Sequence, residues 1–371
     1  MKKYLDQGNF NDRVYKKINE IIEKYGKDNP DYKKKPFAVF DWDNTSIIGD
    51  VEEAFFYYMV TNLCFKIGPD ELYEIIRKNV SREDFGANLA GEKIGIDPIS
   101  NDIKDVYEKL YQTSDRLGGD IDFDIIKATN AYKEFVSKMF FRYKFAKVDP
   151  KSDEKYIWIG YLLKNYKDDD LKKLCQEAFA YMKKQKPRWV EFVSPDIKSK
   201  AGRISLKYFC GISDVCEMAD LYRALEENGI DTFIVSASIS QIVKSYATAN
   251  AYKLDDKKVI GQMLLLDEDG KIIPALDRSL PRTVREGKVE TIKKLIKNDF
   301  GPIIVGGDSD GDYAMLSEFD QTALSLIIDR DIGGQIEDLK AKAKSSDRYR
   351  LQARDLAKMT FIKSEKSKEI L

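Results

Sequence analysis

Apolar residues recur along this chain with two different periods, and the changes of period divide it. Residues 11–25 place Val14, Ile18, Ile21 and Ile22 on one helical face, behind Asn11 as an N-cap. A polar linker, "GKDNPDYKKKP", follows, and then the apolar run Phe37–Phe40 leads straight into Asp41. An unbroken apolar run of that length predicts a strand buried on both faces, as in a parallel sheet. From about Glu53 to Ser194 strand signals are few. There "VSKMFFRYKF" is strongly apolar, and Leu171, Leu174, Cys175 and Ala178 recur at helical spacing.

Strand and helix then alternate again. Val215, Met218, Leu221 and Leu225 line a helix that stops at Asn228-Gly229, and "DTFIVSAS" is the next strand. The segments "VIGQMLLL" and "KIIPAL" read as a hairpin joined by "DEDG". "GKVETIKKLIKN" predicts a helix turning Val289, Ile292, Leu295 and Ile296 inward, and "PIIVGGDSDGD" and "TALSLIID" add two strands. The pattern predicts an α/β fold, a doubly wound parallel sheet with a large, mostly helical domain inserted after the first core strand. Residues 1–52 and 197–371 are expected to form the core and 53–196 the inserted cap. In such sheets ligands bind at the carboxyl ends of the strands.

Composition narrows the chemistry. The 371 residues carry charges that cancel to −1, so no basic face for nucleic acid is evident, and the lysines at Lys33–Lys35 read as a solvated linker. No apolar run approaches the ~18 residues of a membrane span. The start, "MKKYLDQGNF", lacks the apolar core of a signal peptide. A cytoplasmic location is expected of the chain as it stands, with an exported or lipid-anchored protein that has lost its signal peptide as the alternative. Cys64, Cys175, Cys210 and Cys216 form no CxxC pair and read as reduced thiols. Histidine is absent. Ser–His and Cys–His nucleophile pairs, histidine metal sites and imidazole acid–base catalysis are therefore excluded.

Why a greasy strand should end on Asp41 and Asp43 is then a chemical question. Paired carboxylates repel, and each is costly to bury unless a cation compensates. The edge rule gathers Asp41 and Asp43 with Ser236, which closes "TFIVS", with Asp308 and Asp312 after "PIIVGG", and with Lys288 at a helix start. Acids, a hydroxyl and a lysine suit transfer of a phosphoryl group with Mg²⁺, a hard cation that takes oxygen ligands. Asp41 is then the nucleophile, Asp43 the proton donor and acceptor, and Ser236 and Lys288 the groups that hold the transferring oxygens.

"DWDNT", "FIVS", "EGK" and "GDSDGD", in this order, resemble the motifs of the haloacid dehalogenase superfamily. The resemblance implies a Rossmann-like core, an aspartyl-phosphate on Asp41, and Mg²⁺ held by the Asp41 carboxylate, the Asp43 carbonyl and Asp308, with Asp312 behind them. Asp43 implies phosphatases and phosphotransferases rather than dehalogenases. An insert between the first two motifs is similar to the phosphoserine phosphatase-like branch. "FDWDNTS…DVEEA", "LDQGNF" and "LQARD" resemble phosphorylcholine phosphatases and their bacterial relatives. By that resemblance Glu53 contacts a substrate ammonium, which Trp158, Tyr161 or Trp189 could help to hold by cation–π contact. The expected partner is a small phosphomonoester, amine-bearing as in phosphorylcholine, phosphoserine or phosphoethanolamine. Alternatives are a phosphosugar phosphatase, a phosphotransferase, or a non-catalytic binding protein of the same fold.

Overall fold

Asn11 accepts the amide of Val14 through its side chain, and the helix it caps, α1 (Asp12–Tyr25), buries Val14, Ile18, Ile21 and Ile22. The computed structural model describes residues 2–32, 34–150, 152, 154, 157–249, 251–296 and 300–369. Lys33 of the expected linker, and Lys297 and Asn298 of an expected helix, lie outside the described residues.

After β1 (Phe37–Phe40) the chain builds α2 (Val51–Thr61), α3 (Ile96–Thr113), α4 (Asn130–Phe145) and α5 (Asp168–Lys183), with shorter helices between them. A hairpin, β2 (Arg188–Val193) and β3 (Ser205–Cys210), closes this insert. Next come α6 (Cys216–Glu227), β4 (Asp231–Ile239), α7 (Ser240–Ala247) and β5 (Val259–Gln262). A second hairpin, β6 (Leu264–Leu266) with β7 (Ile272–Leu276), precedes α8 (Glu286–Thr291), β8 (Ile304–Gly307) and α9 (Tyr313–Glu318). The strands β9 (Leu324–Ile328), β10 (Tyr349–Asp355) and β11 (Thr360–Ile362) follow.

Among the described residues the central sheet has seven strands in the order β11-β10-β9-β8-β1-β4-β5. Every pairing in it is parallel except β10 with β11. Side chains of a strand alternate faces, so Phe37 and Val39 join Val289, Ile292, Met315 and Leu316 on one side. Ala38 and Phe40 join the opposite core, which runs without a break through Phe55 and Phe56 of α2 to Phe140 of α4. Helices α2 and α5 of the insert also pack on α7. This is the doubly wound α/β architecture expected from the sequence, with helices dominating the insert.

Four details differ from expectation. The polar stretch at 194–203, where the inserted domain is expected to end, is the loop of the β2–β3 hairpin, whose strands pair from Arg188↔Cys210 to Val193↔Ser205. The expected boundary at 196/197 falls inside that loop. Asp102 of α3 pins it, accepting the amides of Lys200 at 2.7 Å and Ala201 at 2.8 Å and the ammonium of Lys138 at 2.6 Å. The segment "VIGQMLLL" splits, because Val259–Gln262 extends the central sheet beside β4 and leaves only Leu264–Leu266 to pair with β7. Leu295 is exposed because residues Ile292–Ile296 wind as a π-helix, whose wider turn rotates it outward. Strand β4 runs on past Ser236 to Ile239, its pairing with β5 breaking register between Val235 and Ile239.

Candidate active site

The parallel pairing of β1 with β8 and β4 fixes the site. Phe40 lies opposite Gly306 and Ile234, and the amide of Asp41 continues the ladder to the Gly306 carbonyl at 2.9 Å. The residues after each strand therefore share one edge. Gly307 is required there, since a Cβ would meet the Cβ of Asp312 at 2.4 Å. Arg285, at φ 53° and ψ −125°, holds an unfavourable backbone geometry just before the turn that delivers Lys288.

Lys288 is buried and sends its ammonium to Asp41 Oδ1 and to Asp312 Oδ1, each at 2.6 Å. The neighbouring Lys293 and Lys294 instead make exposed pairs with Glu318 and Glu290. Asp312 Oδ2 accepts the amides of Asp308 at 3.0 Å and Ser309 at 3.3 Å, so both of its oxygens are engaged. Asp308 Oδ1 accepts the Thr45 hydroxyl at 3.1 Å, and its Oδ2 meets Arg330 at 2.5 Å. Asp43, half-buried, accepts the Val51 amide on Oδ1 and the Ser238 hydroxyl on Oδ2, both at 2.7 Å. Ser236 is fully buried and accepts the Ser238 amide at 3.1 Å.

Electrostatics follow from burying more carboxylates than cations. Burial pushes the Asp41 carboxyl well above its ordinary value; the Asp312 charge adds to this, and Lys288 only partly opposes it. Asp43 is pushed up by burial and by the charges of Asp50 and Asp41. Burial also raises Asp308 despite Arg330. For Lys288 burial works against the charged form, but the charges of Asp312 and Asp41 outweigh it and lift the pKa. One oxygen each of Asp41, Asp308 and Asp312 lies within 4.8 Å of the others, and all three residues are buried. That oxygen-only donor set fits a small hard cation.

A cavity of about 620 Å³ opens beside Asp43's partner Ser238, its lining including the acids Asp50, Glu52 and Glu53 and the bases Arg142, Lys144 and Lys207. Glu53 accepts the Tyr143 hydroxyl at 3.2 Å, and burial, then the Asp50 charge, raises its pKa to about 7. Glu52 accepts the Ile239 amide at 2.6 Å and is raised to about 8, chiefly by burial. Trp158 and Trp189 line the cavity, whereas Tyr161 is a core ring that does not. The face of Trp158 already carries the guanidinium of Arg142, 3.7 Å from the ring centroid.

Ser238, Glu52 as a buried acid, Arg142 and Arg330 are not marked by the motifs, yet the structure brings them to the site and its cavity. Ser238 was legible, being two residues beyond Ser236 on the same strand face. Arg330 was legible too, since it follows β9 at the edge that gathers the other site residues.

No protein-family model and no curated protein matches the sequence. Among solved structures the chain is similar to a conserved protein of unknown function from Anaerococcus prevotii. The two share 54% identity, cover 100% of each other and have a TM-score of 0.98. The chain belongs to the same family as that protein. A cytosolic 5′-nucleotidase IIIB bound to cytidine matches at 14% identity over 95% of this chain and 86% of its own, TM-score 0.41. A substrate-bound phosphoserine phosphatase matches at 11% over 90% and 95%, TM-score 0.35. At such scores the chemistry rests on the residues described above.

Proposed function

We propose that the chain is a Mg²⁺-dependent phosphatase of the haloacid dehalogenase superfamily that hydrolyses a small phosphomonoester through an aspartyl-phosphate on Asp41. The observation that carries this reading is the buried Asp41–Lys288–Asp312 bridge, set at a parallel-sheet edge with Asp308 within reach. Asp41, Asp308 and the Asp43 carbonyl are the groups suited to hold the ion, which when bound offsets the charge on the phosphoryl group. Asp312, with both oxygens occupied, orients Lys288. An oxygen of Asp41 forms the bond to phosphorus as the ester bond breaks, and Asp43 gives its proton to the leaving oxygen. Water then attacks phosphorus, its proton passes to Asp43, and Asp41 is restored as inorganic phosphate leaves. Burial and the neighbouring Asp50 and Asp41 charges raise the Asp43 pKa, the direction that favours a proton donor. Lys288 steadies the oxygens in transfer, and the buried Ser236 is the hydroxyl assigned beside it.

Turnover of an aryl phosphate with Mg²⁺, releasing inorganic phosphate and lost on adding EDTA, is the expected result. Asp308→Ala should raise the Mg²⁺ concentration required by about a hundredfold or more, because an anionic ligand is removed. Full activity in a metal-stripped preparation would contradict the reading, and a phosphorylated acceptor in place of free phosphate would favour a phosphotransferase.

The substrate is read as amine-bearing, with Glu53 meeting the positive group. Arg142, 5% exposed, has no carboxylate partner among the described residues and lines the same cavity, which favours an amine that also carries a carboxylate, as in phosphoserine, over phosphorylcholine. Since Glu53 gains its charge as pH rises through about 7, KM for such a substrate should fall over that interval. Glu53→Gln should raise KM about tenfold or more and abolish that pH dependence. Preference for an uncharged phosphosugar in a screen of phosphorylated metabolites, or an unchanged KM in the variant, would refute the assignment.

A further inference from the structure

Arg330 has no part in the mechanism above, yet it holds one of the carboxylates that mechanism needs. Its Nη1 donates to Asp308 Oδ2 at 2.5 Å, while its Nε is buried without a hydrogen-bond partner. An arginine fork usually grips a carboxylate through two N–H groups. Here the pair is incomplete, and Asp308 is shared between Arg330 and Thr45.

A second station lies beside the first. Arg330 also lines a cavity of about 240 Å³ with Asp50, Glu53 and Glu369. Glu369 is matched by Arg354, at 3.2 Å. Asp50 and Glu53 pair with no basic side chain among the described residues, and their charges already act on Arg330. The side chain is about a quarter exposed, at 26%, and its several rotatable bonds allow it to turn without moving the backbone.

We propose that Arg330 sets the metal affinity of the site: it neutralises Asp308 while no divalent cation is bound, and turns toward Asp50 when one arrives. The inference rests on the metal-dependent reading of the site. Two cations on one carboxylate repel, so a dication entering at Asp308 works against the guanidinium on the same group. Asp50 gives the displaced charge a destination, and it gains a partner as Asp308 exchanges one.

The test is calorimetric titration of the full-length chain with Mg²⁺ and with Mn²⁺, without substrate. Arg330→Ala, and Arg330→Met as a variant of closer volume, should each bind both ions about tenfold more tightly than the wild type. Asp50→Asn, which keeps the side-chain oxygen that accepts the Glu53 amide, should weaken binding in the wild-type background and have a smaller effect in the Arg330→Met background, since the displaced arginine is then absent. Equal or weaker binding by the Arg330 variant that folds overturns the proposal, as does an Asp50→Asn effect identical in the two backgrounds. A wild-type chain that binds neither ion overturns the metal-dependent reading itself, a result separable from the other two.

Discussion

Asp41→Asn should abolish turnover, by roughly four orders of magnitude or more, and leave the chain folded. The amide keeps the shape of the side chain and can still accept from Lys288, but its oxygen is a poor nucleophile toward phosphorus. Folding should not suffer, because the acid replaced is one that burial and the Asp312 charge already disfavour in its ionised form. Asp43→Asn removes only the proposed proton carrier. It should slow formation and hydrolysis of the aspartyl-phosphate by about a hundredfold or more, leaving the covalent species observable. Rates on an aryl phosphate, with mass spectrometry of acid-quenched protein locating phosphate on the peptide that carries Asp41, separate the two variants. Near-normal turnover by pure Asp41→Asn would show that the nucleophile lies elsewhere.

How far the sequence reached is visible in particular elements. The run Phe37–Phe40 was readable as a doubly buried strand because every residue in it is apolar, and all four are fully buried. Asp41, Asp308, Asp312 and Lys288 come together because parallel strands deliver their C-terminal ends to one edge, a rule that requires no coordinates. The hairpin β2–β3 escaped notice because "RWVEFV" leaves every residue half-buried or exposed, so its apolar positions carry little of the pattern that marks a core strand. The break of "VIGQMLLL" between two sheets depends on tertiary partners, and β-propensity alone does not locate such a cut. The side-chain network is a further step from the sequence. That Ser238 rather than Ser236 donates to Asp43, and that Arg330 meets Asp308, depends on where strand ends bend and which rotamers the packing admits.

Lys288→Met is expected to cost both activity and stability, about 3–5 kcal/mol of the latter, the scale of removing one member of a buried ion pair. Lys288 is 2% exposed and touches two acids at once, so its removal strands Asp41 and Asp312 without their shared cation. Asp312 keeps the amides of Asp308 and Ser309, which leaves the turn after β8 anchored and the loss concentrated at Asp41. Two consequences distinguish this electrostatic account from simple loss of packing. Added Mg²⁺ should restore part of the lost stability, since a cation placed among Asp41 and Asp308 offsets the same charge. Asp41→Asn introduced into Lys288→Met should also restore stability, because it removes the acid left unpaired, while activity stays absent. Denaturation curves of the wild type, the two single variants and the double variant, each with and without Mg²⁺, provide the comparison. A double variant no more stable than Lys288→Met would mean that the lysine's stem, rather than its charge, holds this edge of the sheet together.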